Sequence, residues 1–264
     1  MSIKNILGGL PILLKFDNWP TLLFSRVFDR KTGLVAYRKD GLEILIDHHG
    51  GDQNGTRSCL TGDMYRRHLP TIYHGGPQRV LDIGANGGGF PLLLRLSNVE
   101  LAQVVCVEMN HPTYLRLLVN LATNLGEMAT GINAAVSGMP PDSEILLQPS
   151  RGGTGLSVHR SRADSEHPHV AVRTTTLEAL YHQYFAGHAI DICKIDIEGA
   201  EYEVLNASSD AVLQKIRNLV IEFHDPSQTP ACVARLLRLG FTDATGSQDA
   251  ATSERTEVRV FRRA

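Results

Sequence analysis

The sequence predicts an α/β fold: a doubly wound, mostly parallel seven-stranded sheet with one antiparallel edge strand, preceded by an N-terminal helix and a β-hairpin appendage. Three observations predict it. Residues 79–90, RVLDIGANGGGF, run from an apolar strand through a turn of small residues into a helical pattern. Four more apolar strands follow, at 103–107, 130–136, 189–196 and 218–223, with helical spacing between them; such alternation builds a parallel sheet with helices on both faces. Residues 241–244 and 257–261, joined by a polar connection, form a terminal pair that can only be antiparallel.

Ahead of the sheet, Ile3, Ile6, Leu7, Leu10 and Leu14 sit at helical spacing and predict a short amphipathic helix. Such a helix packs on the core, or touches a partner or a membrane surface. The apolar run 6–14 falls short of the roughly 20 residues of a membrane span. Lys15, Phe16 and Asp17 stand where a signal peptide would carry small residues, so a cytoplasmic location is expected. Residues 33–38 and 41–47 read as two short strands around a Lys-Asp-Gly turn. The polar, Gly-rich segment 48–57 is a candidate lid, and 64–69 a short helical piece that delivers the chain to the sheet. Residues 1–70 thus form a cap, and 71–264 the main domain.

In the first sheet strand Val80, Leu81 and Ile83 read as buried, and the turn from Gly84 to Gly88 needs open backbone angles and no bulk. A helix over 90–96 follows it. The helix over 111–125 carries Pro112 in its first turn and Gly126 just beyond its end. Its expected sheet-facing residues are Tyr114, Leu115, Leu118 and Leu121. After the third strand comes an excursion, with strands at 144–147 and 169–175 around a Gly-rich loop in which Arg151, Thr154 and Ser157 are candidate acceptor contacts. Helices over 177–185, from 200 to 205 and over 231–239 complete the pattern, the last stopped by Gly240.

With 264 residues the chain is long enough for one sizeable core. A formal net charge of -2 and the lack of any Lys/Arg run argue against nucleic acid as a partner. Among four cysteines, Cys106 and Cys193 fall in strands separated by the first strand. Strands two positions apart lie about 10 Å from each other, beyond the roughly 7 Å Cα limit for a disulfide. Cys59 and Cys232 have no metal-ligand spacing, and all four read as reduced thiols.

A strand–turn–helix of this kind aims its first amides over the carboxyl edge of the sheet, the ligand crevice of open α/β folds. The second strand ends on Glu108, at the spacing where an acid meets ribose hydroxyls. Asp82 and Glu108 therefore fix a nucleoside. Ala85-Asn86 interrupts the glycine series of a phosphate cradle, and a carboxylate at the end of each of the first two strands repels a pyrophosphate. The pair suits a cationic sulfonium with an amino-acid tail, S-adenosylmethionine; a dinucleotide, or a glycine turn without a ligand, is the other reading of the same turn.

Strands four and five end in Asp196, Glu198 and His224, the candidates for removing an acceptor's proton. Asp196 and Glu198 alternate along the chain and, aimed together, raise one another's pKa. Glu201 reads as a cap of the following helix, and Glu222 or Asp225 as a support for His224. Hard oxygen ligands here suit Mg²⁺, but no further ligand has a recognisable spacing, so no metal is assigned. Asp47, His48, His49 and Asp52 form a second polar concentration, read as solvent-exposed rather than ligand-binding.

The segments VLDIGANGGGF, TTTLEAL, KIDIEGAEYEVL and LVIEFHD, in this order between residues 65 and 224, resemble the FkbM-type S-adenosylmethionine-dependent methyltransferases, a branch of the class I, Rossmann-like fold. The resemblance implies S-adenosylmethionine as methyl donor and transfer to a hydroxyl on a sugar, glycolipid or secondary metabolite. Carboxylate O-methylation or N-methylation of a small metabolite is the alternative within that class. An NAD-dependent oxidoreductase, and a non-catalytic module that binds a partner through its N-terminal helix, are the alternatives outside it. Carried over by position, Asp82, Gly84, Asn86 and Gly88 form the cofactor loop and Glu108 is the ribose acid. Met109 and Asn110 lie along the adenine, with Ala134 and Ala135 as its wall. The expected acceptor is a small molecule or glycan.

Overall fold

The computed structural model describes residues 10–28, 33–147, 170–246 and 257–263. Ile3, Ile6 and Leu7 of the predicted first helix, and Arg151, Thr154 and Ser157 of the Gly-rich loop, lie outside the described residues.

The cap begins with α1 (Leu10–Leu13) and α2 (Trp19–Phe28). Strand β1 (Leu34–Lys39) pairs antiparallel with β2 (Leu42–Asp47). Asp40 and Gly41 between them both have positive φ, 46° and 84°, the two-residue turn whose twist matches a hairpin. Side-chain amides close both edges of this ribbon. Asn18 donates to the Ala36 carbonyl and accepts from the Arg38 amide, each at 2.9 Å. On the opposite side Asn120 makes the same exchange with Leu45, at 2.7 and 3.0 Å, and Asn124 with Glu43, at 2.9 and 2.7 Å. A π-helical turn, Gln53–Arg57, then runs into α3 (Ser58–Thr61), and a 3₁₀ turn, Arg66–His68, into α4 (Leu69–Ile72).

The main sheet starts with β3 (Gln78–Ile83), followed by α5 (Gly89–Leu96), β4 (Leu101–Val107), α6 (His111–Leu125) and β5 (Ala129–Ile132). Strands β6 (Ala135–Val136), β7 (Glu144–Leu147) and β8 (Val170–Thr175) form a separate three-stranded sheet in the order β6-β8-β7. The chain returns through α7 (Leu177–Leu180), β9 (Ile190–Ile195), α8 (Glu201–Ala207), α9 (Asp210–Leu213) and β10 (Ile216–Phe223). It ends with α10 (Thr229–Arg238), β11 (Thr242–Asp243) and β12 (Glu257–Arg262).

The seven-stranded sheet has the order β11-β12-β10-β9-β3-β4-β5. β12 is the reversed strand, antiparallel to β10 on one side and to short β11 on the outer edge. Every residue of β9 is buried, as expected of a strand covered by helices on both faces. The chain winds outward through β4 and β5 on one side of β3 and through β9 and β10 on the other. The crevice between β3 and β9 is therefore a topological switch point, where ligands of such sheets sit. Cys106 on β4 and Cys193 on β9 flank β3, and all four cysteines are free.

Two expectations are corrected. The predicted third strand, 130–136, breaks after Ile132 because the Asn133 amide turns to the Glu108 and Met109 carbonyls, at 2.8 and 3.1 Å; Ala135 and Val136 then pair with Thr174 and Thr175 instead. Helix α6 buries Thr113, Arg116, Leu117, Asn120, Leu121 and Leu125, while Leu115 is 50% exposed. The β1–β2 ribbon covers a second face of this helix, so polar Arg116 and Asn120 go inside and an apolar residue is left in water.

Candidate functional site

A cavity of about 360 Å³ opens over the carboxyl ends of the central strands. Its walls come from the β3 turn (Gly84, Asn86), the end of β4 (Glu108, Met109), Ala134 and Ala135, and the ends of β9 and β10 (Asp196, Glu198, Glu222). Its roof is the cap: Asn54, Gly55, Ser58, Cys59 and residues 62–65 line it. The segment 48–57, expected as a lid, contributes only its end to this roof, which extends to residue 65 and rests on the turn after β3. Thr56 donates to the Asn86 side chain at 2.9 Å, and a Cβ at Gly55 would stand 2.5 Å from Asn86 Cγ.

On the β4 side, Glu108 is nearly buried and receives one backbone amide on each oxygen, Asn86 N at 2.9 Å and Asn110 N at 2.7 Å. Burial outweighs these two donors and pushes its carboxyl up to about 7. Each oxygen keeps a lone pair for a further donor from the cavity. The turn geometry is demanding at Gly84, whose φ is 78° and where a Cβ would lie 1.8 Å from the Asp196 carbonyl oxygen. Only glycine lets β3 and β9 approach this closely.

Behind the wall Lys194, the one charged residue of β9 besides Asp191, is almost completely buried. Its ammonium lies 3.2 Å from Asp82 and 3.4 Å from Asp196, and donates to the Gly84 carbonyl at 2.9 Å. Burial alone favours the neutral amine, but the two carboxylates outweigh it and raise the lysine pKa. Asp82, wholly buried, is shifted up by burial and back by Lys194. Asp82 therefore stands outside the cavity lining and meets the turn after β3 only through Lys194. Gly88 and Asn110 are also outside the lining: Gly88 precedes α5 with φ 89°, and the Asn110 side chain caps α6 by accepting from Thr113 N at 3.2 Å.

On the β9–β10 side the chain turns sharply after Ile195. Glu198 has φ 54°, a left-handed conformation strained for a residue with a side chain, and this turn, not strand alternation, brings Asp196 and Glu198 to one cavity. Glu201, predicted as a cap, is fully buried and accepts from the Ile197 amide at 2.9 Å and the Gly199 amide at 3.0 and 3.1 Å. His224 Nδ1 donates to the same carboxylate at 2.9 Å. His224 Nε2 faces Glu198, Asp196 and Glu222 at 3.6, 3.9 and 4.0 Å. Burial works against the imidazolium, yet Glu201, Asp196 and Glu222 together raise the histidine to about 9. Burial first, then Asp196, raises Glu222; burial likewise raises Glu198.

Tyr65 is the residue that sequence reasoning passed over. Its hydroxyl reaches from the cap to Asp196 Oδ2 at 3.0 Å and Glu222 Oε2 at 3.1 Å, and its ring stacks edge-on to Phe90. Lys194 carried a legible signal, a cation within a strand that is buried throughout; Tyr65 carried none. The polar group at 47–52 proves structural. Arg116 donates to both oxygens of buried Asp52, at 2.6 and 2.8 Å, Asp47 lies 3.6 Å from Arg116, and His48 Nε2 is 2.8 Å from the Tyr37 hydroxyl.

No helix among the described residues is long and apolar enough to cross a membrane. A comparison with curated proteins finds no match. Among solved structures, similar ones include a methyltransferase FkbM from Methylobacillus flagellatus KT, 15% identical, with a TM-score of 0.47 over 70% of this chain and 43% of that one. The chain thus spans less than half the length of that protein. A second is TrmK of M. capricolum in complex with S-adenosyl-homocysteine, 13% identical, with a TM-score of 0.46 over 74% of this chain and 67% of that one. The model of the FkbM methyltransferase domain matches residues 82–242, more than half of the sequence, and the chain belongs to that methyltransferase family.

Proposed function

We propose that the protein transfers the methyl group of S-adenosylmethionine to a hydroxyl oxygen of a sugar, glycolipid or secondary metabolite. The observation that carries this reading is the charge of the cavity. Among the described residues its lining holds five carboxylates, Asp63, Glu108, Asp196, Glu198 and Glu222, and no Lys, Arg or His. Such a lining repels a dinucleotide's pyrophosphate and attracts a sulfonium. It also disfavours a carboxylate acceptor, which would meet like charges on the β9–β10 side.

In this reading Glu108 accepts the ribose hydroxyls and Met109, Ala134 and Ala135 flank the adenine. Gly84 and Asn86 shape the turn around the amino-acid end, with Asp82 and Lys194 bracing it from behind. The donor is already activated by its charge, so most of the acceleration comes from holding the acceptor in line. One O–H bond breaks as the proton passes to a carboxylate, and one O–CH₃ bond forms as the S–CH₃ bond breaks, leaving S-adenosylhomocysteine. Among Asp196, Glu198 and His224, Glu198 is the base in this reading: Asp196 is engaged by Tyr65 and Lys194 and His224 by Glu201, while Glu198 is the most exposed of the three and meets His224 Nε2 only at 3.6 Å. Asp196 and His224 orient the acceptor beside it.

Isothermal titration with S-adenosylhomocysteine and, separately, with NAD tests the reading. Binding of the first and not the second is expected. Binding of NAD alone overturns it and restores the oxidoreductase.

A further inference from the structure

We propose that Asp196 and Glu222, from the cavity lining, and His224, from just behind it, together hold one divalent cation of the Mn²⁺ type at the β9–β10 end of the cavity. Each of these residues offers one ligating atom, and a set of such atoms, one from each residue, lies within 4.8 Å of one another. Nε2 is 3.9 Å from Asp196 Oδ1 and 4.0 Å from Glu222 Oε1, too far for a hydrogen bond. Those separations lie under the about 4.2 Å that two opposed ligand bonds of about 2.1 Å span, and an ion taking all three donors would draw them inward by less than about 1 Å.

What surrounds the trio points the same way. The second oxygen of each carboxylate is taken by the Tyr65 hydroxyl, and the second nitrogen of the imidazole donates to Glu201, which is fully buried and further fixed by two backbone amides. Every candidate ligand is therefore oriented by a group that is not itself a ligand, and the inward atoms converge; binding an ion releases the Nε2 proton of the imidazole. Outer partners of this kind are how metal-binding side chains are aimed. The inward atoms of Asp196, Glu222 and His224 receive no hydrogen bond from the described residues, and Glu198 Oε2, 3.6 Å from Nε2, stands next to them. The sequence supplied two of the donors at recognisable positions; Glu222, brought in by the parallel register of β9 and β10, is the missing one.

Two carboxylate oxygens and one imidazole nitrogen suit Mn²⁺ better than Mg²⁺, which prefers oxygen and water. Three protein ligands leave positions open toward the cavity. The ion's role, though not its binding, rests on the methyl-transfer reading: an acceptor hydroxyl oxygen takes an open position and is held beside Glu198.

Titration of the chelator-treated full chain with Mn²⁺, followed by the loss of the free-ion electron paramagnetic resonance signal, tests the proposal. The expected result is one Mn²⁺ per chain, abolished in the Asp196→Asn/Glu222→Gln double variant. Tyr65→Phe keeps all three ligands and should weaken binding about 10- to 100-fold; it remains informative if the double variant fails to fold. No Mn²⁺ bound by the wild type, or stoichiometric binding unchanged in His224→Ala, overturns the site. Parallel titration with S-adenosylhomocysteine separates the two readings: donor binding without Mn²⁺ defeats the cation alone, and Mn²⁺ without donor binding defeats methyl transfer alone.

Discussion

At the β3–β4 half of the cavity rim, the key carboxylate of Glu108 is held by backbone amides no more than 22 positions away along the chain. At the β9–β10 half, Asp196 and Glu222 are held by a phenol 131 and 157 positions distant. The first half is built from local turns. The second exists only when the cap has docked and delivered Tyr65. Backbone donors tolerate most side-chain changes, so the β3–β4 half should survive perturbations that dismantle the β9–β10 half.

The largest effect is expected where the halves touch. Gly84→Ala places a Cβ against the Asp196 carbonyl in a left-handed turn. It should cost several kcal/mol of stability and abolish donor binding and turnover together, as read by thermal melting and titration with S-adenosylhomocysteine. A variant with normal stability would show that the two strands are not in the contact described.

Next comes Lys194→Met, which leaves Asp82 buried without its cation and should destabilise by about 3–5 kcal/mol in urea unfolding. Since that residue braces both halves, a loss confined to turnover would break the comparison. Glu198→Gln should divide the halves cleanly: turnover falls about 100-fold or more while donor affinity stays within about threefold. Equal losses in both would remove Glu198 as the base.

The smallest effect concerns Glu108. With its carboxyl near about 7, the group is largely protonated below that pH and gives up acceptor capacity for the ribose. Affinity for S-adenosylhomocysteine should therefore rise between about pH 6 and pH 8, with proton release on binding. Glu108→Gln should weaken binding about tenfold and flatten this dependence. A pH dependence preserved in the variant would assign the titration elsewhere.

The same contrast explains what could be read from the sequence. The strand–turn–helix around Gly84, the acid after β4 and the helix framed by Pro112 and Gly126 are local patterns, and all three appear where expected. The break after Ile132 was illegible because it depends on where the Asn133 amide points, not on hydropathy. Leu115 was misplaced for a related reason: periodicity marks an apolar face, but a docked ribbon can bury Arg116 and Asn120 instead. Glu222 was read as a support for His224, a place that Glu201 takes, and Tyr65 was not read at all, because their contacts arise from register and docking between distant segments, for which a single sequence has no spacing rule.

The asparagines that flank the β1–β2 ribbon have one more consequence. A small two-stranded ribbon normally presents its outer amides and carbonyls as a template on which a foreign strand can polymerise. Here Asn18 on one flank, and Asn120 with Asn124 on the other, occupy those positions and act as stoppers against self-association. The contacts that seat the cap over its helix are thereby the same ones that cover its exposed edges, so docking and edge protection depend on the same few amide groups.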